Sequence, residues 1–218
     1  MNFLTHDCRS PCLSHTLHHA QRYFRKAFWA FSVTPAISSS CKINSALCAS
    51  ISFMAFIQSS SSSSSSRRCK YDVFLSFRGE DTRTKFTDHL YAGLKRKGIS
   101  VFRDNEKLKR GTFIAPELLK AIEESKFAVV ILSRDYASSR WCLIELTKIV
   151  ECMQKTQLVV LPVFHYVDPS DVRNQRGTFA EAFALHEERL KDCIGNVQTW
   201  KVALTKVADL AGWDLKNR

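Results

Sequence analysis

The sequence predicts an α/β sandwich in which helices cover both faces of a central parallel sheet. Four short segments are apolar almost throughout, which is typical of strands buried on both faces. Amphipathic segments lie between them, as the crossover connections of parallel strands require. Together these observations indicate a flavodoxin-like fold with strand order 2-1-3-4-5. In that order the topological switch, where such sheets bind ligands, lies between strands one and three.

The first half of the predicted domain alternates strand, helix, strand and loop. YDVFLSF at 71–77 is the first strand, and a helix follows in which Phe86 and Leu90 recur at helical spacing. ISVF at 99–102 is the second strand. The polar segment RDNEKLKRGTF at 103–113 is predicted to be a loop.

The second half continues the alternation. The predicted elements are a helix at 116–126, a strand at 127–133, a helix at Trp141–Gln154, a strand at 158–164, a turn-rich loop at 168–177, helices at 178–190 and 197–212, and a short fifth strand in GWDL at 212–215. The 116–126 helix begins with proline, which suits a first helical turn.

Positive charge is concentrated before this domain. The chain of 218 residues has a formal net charge of +11, of which residues 1–70 carry +7 and residues 71–218 carry +4. The domain itself is therefore not predicted to bind nucleic acid. Cys142, Cys152 and Cys193 are scattered and do not indicate a disulfide framework, so a reducing compartment fits. No metal site and no membrane span are predicted.

The segment 1–70 is predicted to be a disordered, basic, serine-rich leader. Eight consecutive serines occupy 59–66, and such a tract cannot bury a core. The leader resembles an organelle transit peptide, which would target a chloroplast. Alternatively, Met54 is the natural start, and the working protein lacks residues 1–53.

Unusual polar and aromatic residues gather at the switch point. The predicted loop RGEDTR, from Arg78, follows strand one, and RDYASSRWCLIEL follows strand three. Glu145 lies one helical turn after Trp141, so their side chains share a face. A carboxylate, an indole and a guanidinium suit a ligand with aromatic rings, sugar hydroxyls and phosphates. Two other interpretations stay open: Glu145 is a solvated acid paired with Arg140 or Lys148, and Trp141 is ordinary core.

Several long motifs in a fixed order carry a resemblance to a known family. YDVFLSFRGEDTR, LKRG, AIEES, YASSRWCLIEL, LPVF and VDPSDVR together resemble the Toll/interleukin-1 receptor (TIR) domain of plant disease-resistance proteins. The resemblance covers residues 71–215 and implies the TIR fold. It also implies an immune signalling protein that hydrolyses NAD⁺ or NADP⁺ as substrate, without a cofactor, and releases nicotinamide. The family's catalytic glutamate corresponds here to Glu145.

The resemblance assigns further roles and partners. Substrate-binding residues would be Phe77, Arg78, Gly79, Trp141, Arg110 and Gly111, the last two in a loop that gates the site. Asp88 and His89 would contribute to self-association with other TIR domains or full-length resistance receptors. A cytoplasmic, and also nuclear, location is expected. A catalytically inactive interaction module is the alternative function.

Some positions depart from the family pattern. Ile144 stands where aspartate is usual, His165-Tyr166 replaces Tyr-Asp, and Asp88 replaces serine. Family members usually continue past Trp213 into a further helix, which residues 71–215 are predicted to lack. A phospho-receiver domain on the same fold is disfavoured, because the third strand ends in Ser133 rather than in an aspartate.

Overall fold

The computed structural model describes residues 45–53, 69–103 and 114–215 of the chain. Within them a five-stranded sheet forms the centre of the domain. Its strands are β1 (Tyr71–Phe77), β2 (Val101–Arg103), β3 (Ser125–Leu132), β4 (Val159–Phe164) and β5 (Trp213–Asp214). The order is β2-β1-β3-β4-β5 and every pairing is parallel. The predicted fold class, strand order and short fifth strand are therefore confirmed.

Helices connect the strands and cover the sheet. They are α1 (Gly79–Thr82), α2 (Asp88–Arg96), α3 (Ile114–Glu123), α4 (Arg140–Thr156), α5 (Pro169–Arg173), α6 (Thr178–Arg189) and α7 (Ile194–Ala208). One turn of π-helix, Arg83–Thr87, joins α1 to α2. Such turns are rare in proteins overall, and those that do occur often lie at functional sites.

The central strand β3 explains why the apolar runs are so continuous. Six of its residues, from Phe127 to Leu132, are 0% exposed, because helices pack on both faces of the sheet. Alternate residues Ala128, Val130 and Leu132 share one cluster with Leu143 and Leu146 of α4. Side chains of a strand alternate between faces, so this register decides which residues of β1 and β3 meet α4.

Two segments predicted to be loops are helical. RGEDTR, which follows β1, enters α1 at Gly79 and continues through the π-turn. In the 168–177 segment, Asp168 caps α5 by accepting a 2.8 Å hydrogen bond from the backbone N–H of Ser170, and Pro169 follows at the first helical position. Asp-Pro is a helix-start signal as well as a turn signal, and the tertiary contacts of α5 with α7 favoured the helix.

Residues 45–53 belong to the segment predicted to be a leader, and they are helical. We call this segment the leader helix. Its apolar residues Leu47, Cys48 and Ile51 are at most 3% exposed. The Cys48 thiol donates a long 3.9 Å hydrogen bond to the Leu90 carbonyl of α2. Residues 1–44 and 54–68 lie outside the described residues, and the alternative start at Met54 stays a prediction.

Gly93 of α2 has no side chain, and this leaves room for the leader helix. A Cβ placed on Gly93 would lie 2.9 Å from the Cys48 sulfur, so the glycine lets the sulfur approach the α2 backbone. Burial raises the pKa of Cys48, which keeps the thiol neutral in this contact.

Cys48→Asp is expected to detach the leader helix and to leave the rest of the domain folded. A carboxylate at this position would be buried against the Leu90 carbonyl oxygen, which repels it, and the nearby Lys97 and Arg96 offset only part of that cost. Hydrogen exchange would report loss of protection at 45–53 with an almost unchanged melting temperature. Ser45→Asp, at an exposed position of the same helix, is the matched control. Full protection in Cys48→Asp would show that the contact with α2 does not hold the helix.

Among the helices of residues 45–53, 69–103 and 114–215, none has the length and apolar character that crossing a membrane requires.

Candidate functional site

A cleft of about 660 Å³ opens at the carboxyl end of β1 and the amino end of α4. This volume is in the range of small-molecule sites, and the location is where open parallel sheets bind ligands. The lining residues are Phe77, Arg78, Gly79, Glu80, Arg83, Leu118, Ser139, Trp141, Cys142 and Glu145. The structure thus brings together five of the residues that the sequence proposed for one site: Phe77, Arg78, Gly79, Trp141 and Glu145.

Glu145 is a buried carboxylate at the wall of this cleft. It is 5% exposed, and its Oε2 accepts a 2.7 Å hydrogen bond from the Ser76 hydroxyl of β1. The interpretation of Glu145 as an acid on a solvated face is therefore wrong. Lys148, a partner considered for it, instead contacts Glu123 and Glu151. A buried carboxylate with a dedicated donor has a fixed position, which a reactive or ligand-binding group requires.

The Ser76 hydroxyl belongs to a small polar network. Its oxygen lies 2.9 Å from Oη of Tyr136, which in turn donates to the Cys142 carbonyl at 3.1 Å. Burial raises the pKa of Tyr136 well above its ordinary value, and neighbouring Cys142 and Glu145 act in the same direction. The Tyr136 hydroxyl therefore stays protonated at neutral pH.

Cys142 shows the electrostatic effect of the carboxylate. Burial, followed by the negative charge of Glu145, raises the pKa of the Cys142 thiol to about 12. The thiol is therefore neutral, and it donates to the Phe77 carbonyl at 3.6 Å. Because nucleophilic cysteines need a lowered pKa, Cys142 is suited to packing rather than to attack.

Ser139 and Trp141 complete the α4 side of the cleft. Ser139 caps α4 by accepting a 3.3 Å hydrogen bond from the backbone N–H of Cys142, which defines where the helix begins. Trp141, in the first turn, is 50% exposed. The interpretation of Trp141 as ordinary core is therefore wrong. An indole in this position is available to stack against an aromatic ligand.

Arg78 lies in the cleft as predicted, but carboxylates already surround its guanidinium. It forms ion pairs with Glu80 and with Asp81, the latter at 2.6 Å. Asp81 also accepts hydrogen bonds from the Ser133 hydroxyl and the Asp135 backbone N–H, which joins α1 to the segment that follows β3. An anionic ligand would have to compete with these acids for Arg78.

Arg83 is the cation that sequence reasoning missed. Its guanidinium carbon lies 5.0 Å from the centre of the Phe77 ring, and its Nη1 is buried with no hydrogen-bond partner in the described part of the chain. Buried donors without partners are uncommon in folded proteins. In a cleft, such a donor suits a phosphate or carboxylate of a ligand. The sequence signal that could have identified Arg83 is its place as the last residue of the RGEDTR motif.

Gly79→Ala is expected to weaken anion binding without destabilising the domain. A Cβ at Gly79 would lie 2.6 Å from Nη2 of Arg83, and this flexible side chain must move away. Affinity for inorganic pyrophosphate, measured by calorimetry, should fall about tenfold, the cost of one charge-assisted hydrogen bond. Arg83→Gln should reproduce this loss. Unchanged affinity in both variants would exclude Arg83 as an anion ligand.

The remaining predicted site residues lie elsewhere. Arg110 and Gly111 are outside the described residues, so their role in gating stays a prediction. Asp88 and His89 belong to α2 and do not line the cleft. Asp88 forms an ion pair with Arg103 of β2, whereas His89 is exposed. Their role in self-association also stays a prediction.

Comparisons with known proteins agree on one family. A family model described as "TIR domain" matches residues 70–218. Over 162 residues the chain is 57% identical to the disease resistance protein RPV1 of Vitis rotundifolia, covering 73% of this chain and 11% of that protein. Over 151 residues it is 56% identical to the TMV resistance protein N of Nicotiana glutinosa, covering 69% of this chain and 13% of that protein. The chain therefore spans little more than a tenth of the length of these relatives.

Among solved structures, the chain is similar to the TIR domains in the structure of the activated Roq1 resistosome that recognises the pathogen effector XopQ. The TM-score is 0.65 and the sequence identity is 55%, with 68% of this chain and 89% of that chain covered.

Proposed function

The chain belongs to the TIR-domain family, and on that premise we propose that it is a plant immune signalling enzyme that hydrolyses NAD⁺ or NADP⁺. Self-association activates it, and the reaction releases nicotinamide and generates nucleotide signals. The protein acts in the cytoplasm or nucleus, together with other TIR domains or with resistance receptors like those it resembles.

The observation that carries this proposal is the buried carboxylate of Glu145, held by Ser76 at the wall of a cleft that also presents Trp141. Nicotinamide in NAD⁺ is a cationic pyridinium and leaves as a neutral molecule, so no general acid has to protonate it. The group that needs stabilisation is the ribose, which becomes oxocarbenium-like in the transition state. One fixed carboxylate beside that positive charge supplies the stabilisation.

The other cleft residues suit the rest of a dinucleotide. The half-exposed indole of Trp141 offers a stacking surface for a ring, and Arg83 offers a donor for the diphosphate. A cleft of about 660 Å³ accommodates a ligand of this class.

Association is the proposed means of control. One helix that presents a carboxylate and an indole does not enclose a dinucleotide, so a neighbouring copy has to order the remaining wall of the site. Specific activity should therefore rise with protein concentration, because association raises the fraction of completed sites.

Nicotinamide release across a hundredfold dilution series tests the proposal, with light scattering on the same samples. We expect specific activity to fall at least tenfold as assemblies dissociate. Constant specific activity in a proven monomer would contradict control by association. Assembly without nicotinamide release at any concentration would contradict the enzyme and leave the inactive interaction module as the function.

A further inference from the structure

Two buried hydroxyls stand behind the carboxylate of the cleft. Ser76 and Tyr136 are both 0% exposed, and neither lines the cleft. They come from different elements, Ser76 from β1 and Tyr136 from the short 3₁₀ turn Tyr136–Ser138 that follows β3. Because neither side chain reaches the cleft, any effect they have on chemistry must pass through the lining residues that they contact, Glu145 and Cys142.

Both hydroxyls have a structural reason for their positions. Ser76 pairs with Val130 in the β1–β3 register, on the sheet face that α4 covers. A serine among buried apolar residues is costly unless its hydroxyl is hydrogen-bonded. Tyr136 belongs to a turn that is itself anchored, since His186 contacts the neighbouring Ala137 carbonyl through Nε2 at 2.9 Å. The network therefore joins Glu145 to two rigid elements.

The number of protons that each group can donate sets the direction of the hydrogen bonds among Glu145, Ser76 and Tyr136. An ionised carboxylate only accepts, so Ser76 must donate its single proton to Oε2 of Glu145. The 2.9 Å contact between Ser76 and Tyr136 then has one available donor, the Tyr136 hydroxyl. Tyr136 shares its proton between Ser76 and the Cys142 carbonyl, which holds the serine hydroxyl in the orientation that points at Glu145. Hydrogen bonds in such a chain strengthen one another.

We propose that Ser76 and Tyr136 are positioning residues that hold the Glu145 side chain in its reactive orientation and favour its ionised form. This inference rests on the proposed function, because it assigns Glu145 to the reaction. Ser76 acts directly on the carboxylate, and Tyr136 acts through Ser76.

Ser76→Ala tests the direct contact. We expect kcat for nicotinamide release to fall about tenfold to hundredfold, the loss of one hydrogen bond to a charged group, with KM changed little. The acid limb of the pH–activity profile should move to higher pH, because a carboxylate without its donor is protonated more easily. Ser76→Thr, which keeps the hydroxyl, should restore the position of that limb.

Ser125→Ala is the matched control. Ser125 is a serine of β3 that is also 0% exposed, and its hydroxyl donates to the Ala121 carbonyl at 2.6 Å. It pairs with Tyr71, at the opposite end of β1 from Ser76. This variant should lose similar stability but keep its kcat and its pH profile. An equal loss of kcat in the two variants would overturn the inference and show a general structural effect.

Tyr136→Phe separates the indirect role from the direct one. The variant keeps the ring volume and loses only the hydroxyl, so we expect a smaller fall in kcat, about threefold to tenfold. In the double variant with Ser76→Ala, the phenylalanine should add almost nothing, because Tyr136 acts through a serine hydroxyl that is absent. Additive effects of the two substitutions would overturn this coupling.

A measurement that does not require catalytic turnover tests the positioning role of Ser76 separately from the proposed enzyme activity. Carbon-13 NMR would follow the Glu145 carboxyl through a pH titration in the wild type and in Ser76→Ala. We expect a higher titration midpoint in Ser76→Ala. A higher midpoint in a protein that releases no nicotinamide would contradict the enzyme and keep the positioning contact. An unchanged midpoint in an active enzyme would overturn the positioning role alone.

Discussion

Glu145→Ala is expected to lower nicotinamide release at least a hundredfold while the domain stays folded. The carboxylate is the group at the cleft placed to stabilise a positive charge on the substrate, so its removal should lower kcat by roughly 10²–10³. Folding should be affected much less. The Ser76 hydroxyl that loses its acceptor still lies 2.9 Å from Tyr136 and keeps a hydrogen-bond partner there. We expect a loss of about 1 kcal/mol in the free energy of unfolding.

Two controls make this result interpretable. Glu145→Gln keeps the shape of the side chain and can still accept from Ser76, so it removes the charge alone and should be almost as inactive. Glu151→Ala removes a carboxylate from the same helix, where it forms exposed ion pairs with Lys148 and Lys155, and should keep full activity. A folded Glu145→Ala protein with undiminished turnover would remove this residue from the mechanism.

Gly212→Ala is expected to cause a large loss of stability. A Cβ at this position would lie 2.5 Å from the Pro162 carbonyl oxygen and 2.8 Å from Pro162 Cγ. Backbone and a proline ring of β4 cannot move aside as a flexible side chain does. The last strand would be pushed outward, with Trp213 at 4% and Leu215 at 2% exposure losing their packing. We expect a loss of about 2 kcal/mol, or roughly 4–8 °C in melting temperature.

Gly195→Ala is the matched control for this substitution. Gly195 lies in α7, and nothing is within 4 Å of a Cβ built there. Because alanine is the better helix former, this variant should be equal to or more stable than the wild type. Thermal unfolding of both variants gives the comparison. A Gly212→Ala protein as stable as Gly195→Ala would show that β5 shifts without cost.

Local sequence determined most of the fold. Apolar runs such as 127–133 are long enough to specify buried parallel strands, and amphipathic segments between them specify crossover helices. The i, i+4 spacing of Trp141 and Glu145 put them on one face of a helix, and the structure has both at the cleft. These properties depend on neighbours within a few residues, which the sequence displays directly.

Only the tertiary structure decided the state of Glu145. Its donor, Ser76, is 69 positions earlier in the chain, and Tyr136 approaches from a separate turn. No local pattern indicates such contacts, because they depend on the register of β1 with β3 and on how α4 packs over that face. The leader helix was missed for a similar reason. The spacing of Leu47, Cys48 and Ile51 is short and ambiguous alone, and its contact with α2 depends on the gap at Gly93.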